Sequence, residues 1–321
     1  MRQLDGDADD GGMFTGSPSK QSQRVVTGLR TVRAIANVLQ VDVDSLFARL
    51  MGFGSPPRWL VRRLHVSSFE FAGMRVWTMR SAATARTAGH HIVCLHGGGY
   101  VHEATTTHWR HYATTARDTG ASVIVPIYPL APKSTAETVV PKIADLVSSL
   151  VSEHGADAVS IYGDSAGGGL ALAASQELVR RGAQTPAGMV LISPWLDVTM
   201  TDPEIDNIDD PALNRTMLET SGLQWAGDLD PMNPLVSPLF GSLDGQPSTV
   251  VYSSSLDLLC VDTIRLQVKA IAEGANIAFV LRKGLIHDWA ISPLPEAVAV
   301  RPDIYRQLIR PSHRKGSSHD Q

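Results

Sequence analysis

Gly163-Asp164-Ser165-Ala166-Gly167 fits the pattern G-x-S-x-G. An apolar run (AVSIY, 158–162) leads into it and an Ala- and Leu-rich stretch leaves it. A serine on such a strand-to-helix turn is held with its hydroxyl exposed at the end of the strand, and small neighbours let the backbone bend sharply. The helix that starts there turns unpaired N–H groups and the positive end of its dipole toward the hydroxyl. Those features suit a nucleophile. The plainer alternative is a Gly-rich turn whose serine only caps a helix.

A second signal follows the apolar run HIVCL, at His96-Gly97-Gly98-Gly99-Tyr100. Three consecutive glycines cost backbone entropy and contribute no packing. Their use would be the close approach of backbone N–H groups to a developing negative charge, one half of an oxyanion hole. The other half would be the N–H of the residue after the nucleophile, Ala166. A phosphate-binding loop is the rival, but neither G-x-x-x-x-G-K-[ST] nor G-x-G-x-x-G between strand and helix occurs.

With these residues in place the chain resembles the hormone-sensitive-lipase-like α/β-hydrolases, which are serine carboxylesterases. HGGGY at 96–100, YPLAP at 128–132, GDSAGG at 163–168, SPWLD at 193–197 and a late histidine carry the resemblance, over roughly 60–310. It implies that Gly98, Gly99 and Ala166 supply the oxyanion hole. It also implies an α/β-hydrolase fold, a mostly parallel central sheet flanked by helices under a helical cap. In this fold the chain order is Ser, then Asp or Glu, then His. Of eleven histidines, only His287, His313 and His319 follow the candidate acids, and the last two lie in a polar tail. His287, in GLIHDW just past the apolar run IAFVL, is therefore the expected base. Asp257 matches the family's Asp-Pro-Leu segment, with Leu258 where the family usually has Pro. Asp262 is the alternative acid, and Asp197 matches a position usually taken as structural. Lys133, Gly169 and the pair Asp288-Trp289 also depart from the family pattern.

The expected chemistry is two-step acyl transfer to a small-molecule ester. Ser165 attacks, His287 takes its proton, Asp257 orients the imidazole and water cleaves the acyl-enzyme. Short to medium acyl chains are expected from the resemblance. Tyr100, Leu213, Met217, Trp225, Met232 and Trp289 are candidates for the substrate pocket, Trp289 by reshaping its acyl side. His96 is expected to position the glycine loop without moving a proton. Two rivals remain: an amidase or formamidase with the same triad, and a non-catalytic small-molecule-binding member of the fold.

The elements that must hold these groups alternate. Strands are expected at 67–71, 75–79, 91–95, 122–127, 158–162, 189–192, 249–253 and 277–281. Helices are expected at 106–119, 134–151, 165–181, 261–272 and 298–308, the second opening on a capping box at Ser134-Thr135-Ala136-Glu137. The pattern implies an open, mainly parallel sheet covered on both faces. Residues 196–235, with a helix at 211–220, are too long for an ordinary connection and are assigned to the cap. Helices at 24–39 and 44–51 complete it, the first presenting Val25, Leu29, Val32, Ala36 and Leu39 on one face. The division is then a disordered tail (1–20), cap helices (21–60), the hydrolase domain (61–311) and a polar tail (312–321).

Composition limits the rest. Lys plus Arg is 28 and Asp plus Glu is 32, a net charge of -4, which argues against a nucleic-acid binder. Two cysteines, Cys94 in a buried strand and Cys260 expected to be partly exposed, make neither a disulfide framework nor a zinc site. His108 with His111, and His90 with His91, lack a third ligand, so no metal or other cofactor is expected. No signal segment or bilayer-length apolar run is found, and a cytoplasmic monomer or homodimer is expected. Arg24, Arg30 and Arg33 on the first helix leave peripheral membrane contact as an alternative to a solvated cap face.

Overall fold

The computed structural model describes residues 13–39, 52–81 and 89–309. The apolar runs become eight strands: β1 (Leu64–Phe71), β2 (Met74–Ser81), β3 (His91–Leu95), β4 (Ser122–Ile127), β5 (Val159–Asp164), β6 (Gly188–Ile192), β7 (Ser248–Leu256) and β8 (Ile277–Ile286). They form one sheet in the order β1-β2-β4-β3-β5-β6-β7-β8. β2 pairs antiparallel with β1 and with β4, and the remaining pairs are parallel.

Successive side chains of a strand point to opposite faces, and here both faces are covered. Val93, Leu95, Ile161, Met189 and Leu191 join one core cluster. Ile92, Cys94, Tyr162, Val190 and Ile192 join the other. The seven helices described are α1 (Lys20–Leu39), α2 (Thr106–Thr119), α3 (Ala136–His154), α4 (Ala166–Arg180), α5 (Arg215–Ala226), α6 (Cys260–Glu273) and α7 (Pro295–Leu308). The apolar sides of α3 and α4 pack into the first cluster, and Trp109 and Tyr112 of α2 with Ile304 and Leu308 of α7 into the second. The expected α/β-hydrolase architecture is the one observed.

Several expectations change in detail. Residues 13–19, read as loose tail, run beside β8: the Thr15 N–H donates to the Leu281 carbonyl at 2.9 Å, and the Lys283 N–H to the Thr15 carbonyl at 3.1 Å. The expected α1 stripe holds in part: Ala36 is buried and Val25 and Leu29 pack half-buried on the core, but Ser22 and Val26 are buried beside them while Val32 and Leu39 are 49% and 65% exposed. A polar residue on the covered side explains this. The Arg33 guanidinium donates to the carbonyls of Asp210 and Leu213, both at 2.7 Å, and of Ala212 at 3.1 Å. Arg30 pairs with Asp209 at 2.7 Å.

At α3 the N-cap is Thr135, and its N–H bonds to Thr138 Oγ1 at 3.3 Å; Ser134 and Glu137 take no part in the cap. The helix expected at 211–220 begins later, because Asp210 Oδ1 accepts the N–H groups of Ala212 and Leu213 and so forms a turn, after which Asn214 caps α5. Cys260 is buried. The helix expected at 44–51 lies outside the described residues. No helix among the described residues is long and apolar enough to cross a membrane.

Candidate active site

β5 runs to Asp164, and α4 starts at Ala166. Ser165 between them has φ 51° and ψ −123°, in the sparsely populated half of backbone space. Such a residue typically costs about 1–3 kcal/mol and persists only where its surroundings hold it. Here they do: the Ser165 N–H donates to the Ile192 carbonyl and its carbonyl accepts from the Trp195 N–H, both at 2.9 Å. Ser165 is 5% exposed.

The register of the last two strands brings Asp257 and His287 together. After a shift between Ser254 and Leu256, Leu256 of β7 pairs with Ile286 of β8. Asp257 and His287 each follow directly and so sit side by side. β8 is five residues longer than expected, so His287 stands at a strand end and not on a free loop. His287 Nδ1 lies 3.0 Å from Asp257 Oδ1, which also accepts the Leu259 N–H at 2.9 Å. A carboxylate only accepts, so Nδ1 carries the proton.

Asp262, the alternative acid, faces elsewhere. Its Oδ2 accepts the Asp197 N–H at 3.1 Å, and its Oδ1 lies 3.0 Å from Arg265, which also pairs with Asp197 at 2.7 Å. Burial and the neighbouring Asp197 push Asp262 up to about 7.

Leu258, where the resembled family usually has Pro, has an N–H to satisfy in a buried place. Asp210 Oδ2, from the insertion, accepts it at 2.9 Å. Burial and the neighbouring Asp257 push Asp210 up to about 6.

The other side of the imidazole holds a surprise. Among the described residues no hydrogen bond joins Ser165 Oγ to His287. Instead His287 Nε2 lies 3.3 Å from Asp288 Oδ2. The Asp288 N–H donates to Ser193 Oγ at 3.1 Å. The His287–Asp288 segment and the Ser165 turn are thus both tied to residues 192–195. Burial pushes the imidazole down, but the Asp288 and Asp257 carboxylates outweigh it and hold His287 well above the usual histidine range.

The glycine loop leaves β3 and reaches the same place. A Cβ on Gly97 would stand 2.9 Å from the Ser165 Cβ and 2.5 Å from Asp164 Oδ2. The Gly97 N–H donates to Asp164 Oδ2 at 2.8 Å, and His108 Nε2 lies 2.8 Å from the same oxygen. The Thr105 N–H donates to His108 Nδ1 at 2.8 Å, so Nε2 carries the proton. Although burial opposes it, these contacts hold the Asp164 carboxyl below its usual range. His108, weighed from sequence only as a metal ligand, is the partner of the Asp164 carboxylate beside Ser165. Its i,i+3 spacing to His111 gave no hint of this, because the contact spans 56 residues of chain.

His96 is buried, and burial lowers it to about 4, so its ring is neutral. Its Nδ1 lies 2.8 Å from the Gly97 carbonyl, and its ring stacks on Tyr128 with centroids 4.3 Å apart. Those contacts tie the ring to the glycine loop.

Gly98 has φ 119°, and a Cβ there would stand 2.8 Å from the His102 carbonyl oxygen. Gly98→Ala should therefore displace the loop and its N–H groups. The expected loss in kcat on an ester is about 10²–10³-fold, the usual cost of one oxyanion donor. Circular dichroism should be retained, and near-normal turnover in a folded variant would exclude the loop from the reaction.

The candidate pocket residues divide. Tyr100, Trp225 and Trp289 are fully buried and are core in this structure. Tyr100 stacks on Trp225 at 4.0 Å and on Trp195 at 5.5 Å. Trp289 donates its indole N–H to the Ser253 carbonyl at 3.3 Å. Aromatic bulk in a loop sequence cannot tell lining from packing. Leu213 and Met217 are half-buried, and Met232 is 53% exposed. Cavities of about 400 and 640 Å³ lie elsewhere, the larger beside α4 between Gln176 and Gln246. Among the described residues no cluster of three or more His, Cys, Asp or Glu side chains could hold a metal.

The fold and this arrangement define a class. Residues 92–291 match the alpha/beta hydrolase fold family, and the chain belongs to it. Among its relatives is the triacylglycerol lipase of Mycobacterium tuberculosis, 36% identical over 92% of this chain and 67% of that protein. An esterase of Acinetobacter venetianus is 30% identical over 75% of this chain and 80% of its own length. The solved structure of an esterase from the bacterial hormone-sensitive lipase family is 27% identical, with a TM-score of 0.77 over 92% of this chain and all (100%) of that one. The resemblance drawn from the glycine and serine motifs is thereby borne out.

Proposed function

We propose that the protein hydrolyses carboxylic esters of short to medium acyl chains through an acyl-enzyme on Ser165. The coarser statement, a hydrolase of the esterase and lipase type, follows from its family and relatives. The finer one rests chiefly on the Asp257–His287 contact at the strand ends, which Asp288 and Ser193 tie to the segment 192–195 that also holds the Ser165 turn.

Nδ1–H of His287 is held by Asp257, which leaves Nε2 as the atom that takes the Ser165 proton during attack. The imidazolium then protonates the leaving alcohol. The N–H groups of Gly98, Gly99 and Ala166 stabilise the oxyanion. Water, activated by the same imidazole, releases the acid. The enclosure of Ser165 favours acyl groups small enough to enter a closed site.

A series of p-nitrophenyl esters of increasing acyl length tests the reading, together with titration by an organophosphonate ester. Peak kcat/KM at short to medium chains and one-to-one labelling of Ser165 are expected. A clear maximum at long chains would overturn the chain-length assignment. Faster cleavage of matched anilides than of esters would favour the amidase, and failure to label Ser165 would favour a binding protein.

A further inference from the structure

We propose that Asp288 is a second carboxylate partner of the imidazole, competing with Ser165 for His287 Nε2 and thereby setting the pH above which the base is free. The inference rests on the hydrolase reading and deepens it, because it concerns how that site is switched on.

The geometry carries it. His287 stands between two carboxylates, Asp257 Oδ1 at 3.0 Å from Nδ1 and Asp288 Oδ2 at 3.3 Å from Nε2. With Asp257 hydrogen-bonded at Nδ1 and the Asp288 carboxylate in ion-pair contact with Nε2, the form of the ring that this setting favours is the imidazolium. An imidazolium cannot take a proton from Ser165. Asp288 is held in place by its own backbone. Its φ is 54°, its N–H bonds to Ser193 Oγ, and its carbonyl accepts the N–H groups of Ile291 and Ser292, each at 3.2 Å. Its Oδ1 is buried with no hydrogen-bond partner among the described residues. A buried, half-unsatisfied carboxylate is costly and calls for a reason. Contact with the catalytic nitrogen supplies one.

The surroundings fix the sign. Asp257 from the end of β7 and Asp288 both favour the charged ring, and Asp210 from the insertion adds a third nearby carboxyl. Asp164 at the end of β5 works against the ionisation of Asp288, while His108 of α2 works for it. Tyr162 of β5 feels the Asp288 charge and is neutral across the working range. Burial is the largest influence on Asp288 and pushes it up to about 6. Above that pH, Asp288 is ionised and retains the proton on His287. The base is freed only on the alkaline side of an ordinary imidazole, and kcat/KM should rise with pH there.

Asp288→Asn and Asp288→Gly test this, since Asn and Gly tolerate a positive φ and the turn should survive. Removing an adjacent carboxylate should move the acid limb of kcat/KM for p-nitrophenyl acetate down by about 1–3 pH units. Below both limbs each unit appears as an about tenfold faster reaction of Ser165 with the phosphonate. A merely structural role would lower kcat and leave the limb in place, and that result would overturn the proposal. NMR titration of the His287 ring in Ser165→Ala, with and without Asp288→Asn, reads the same shift without any ester chemistry. Unlabelled Ser165 at every pH would count against the hydrolase reading, whereas labelling with an unmoved limb and an unmoved ring titration would count against Asp288 alone.

Discussion

Ser165→Ala is expected to lower kcat on a p-nitrophenyl ester by about 10⁶-fold, the scale at which losing the nucleophile removes the whole covalent route. Binding and the oxyanion donors remain, so a residual rate of about 10³–10⁴ over water should persist. The fold should not suffer. Alanine keeps the Cβ that serine already places at φ 51°, and the turn is held by backbone bonds to Ile192 and Trp195 that the substitution leaves intact. Burst release of nitrophenol and phosphonate labelling should both vanish, with the thermal midpoint within a degree or two of the parent, since about 1 kcal/mol shifts a chain of this size by only a few degrees. Turnover near the parent level would mean that another group attacks the ester.

Asp257→Asn is the second large effect, about 10⁴-fold in kcat. The asparagine can turn its amide nitrogen toward His287 Nδ1, favouring the tautomer whose proton sits on Nε2, where it cannot accept one from Ser165. The informative comparison is Asp262→Asn. That carboxylate binds Arg265 and the Asp197 N–H, not the imidazole, so its loss should be read in thermal stability, with kcat within a few-fold of the parent. The opposite ranking of the two variants would transfer the acid role to Asp262.

Much of the site was legible because its parts are local. A strand, a small-residue turn and a helix can be seen in a dozen letters around Ser165, and three glycines after HIVCL can hardly serve packing. His287 was expected from chain order and its place after an apolar run, and Asp257 from its match to the family segment; the register of β7 on β8 explains why both lie at one end of the sheet. Contacts made across the fold were not legible. His108 reaches Asp164 from a different helix, and nothing in the letters around either residue marks the other. Part of the α1 face was misjudged because apolar spacing cannot register a half-buried guanidinium bonded to three carbonyls. Tyr100 and Trp225 stack on each other in the core, a contact that the sequence does not distinguish from a pocket lining.

One backbone amide ties the beginning of the chain to its chemistry. Because position 258 is leucine, its N–H leans on Asp210; the loop bearing Asp210 hangs from Arg33; and Arg33 belongs to the first helix. What looks like a roof segment is also a strut beneath the residue that steers the imidazole. Trimming or loosening the amino-terminal helix would therefore reach across the fold and unsettle the aim of the His287 ring.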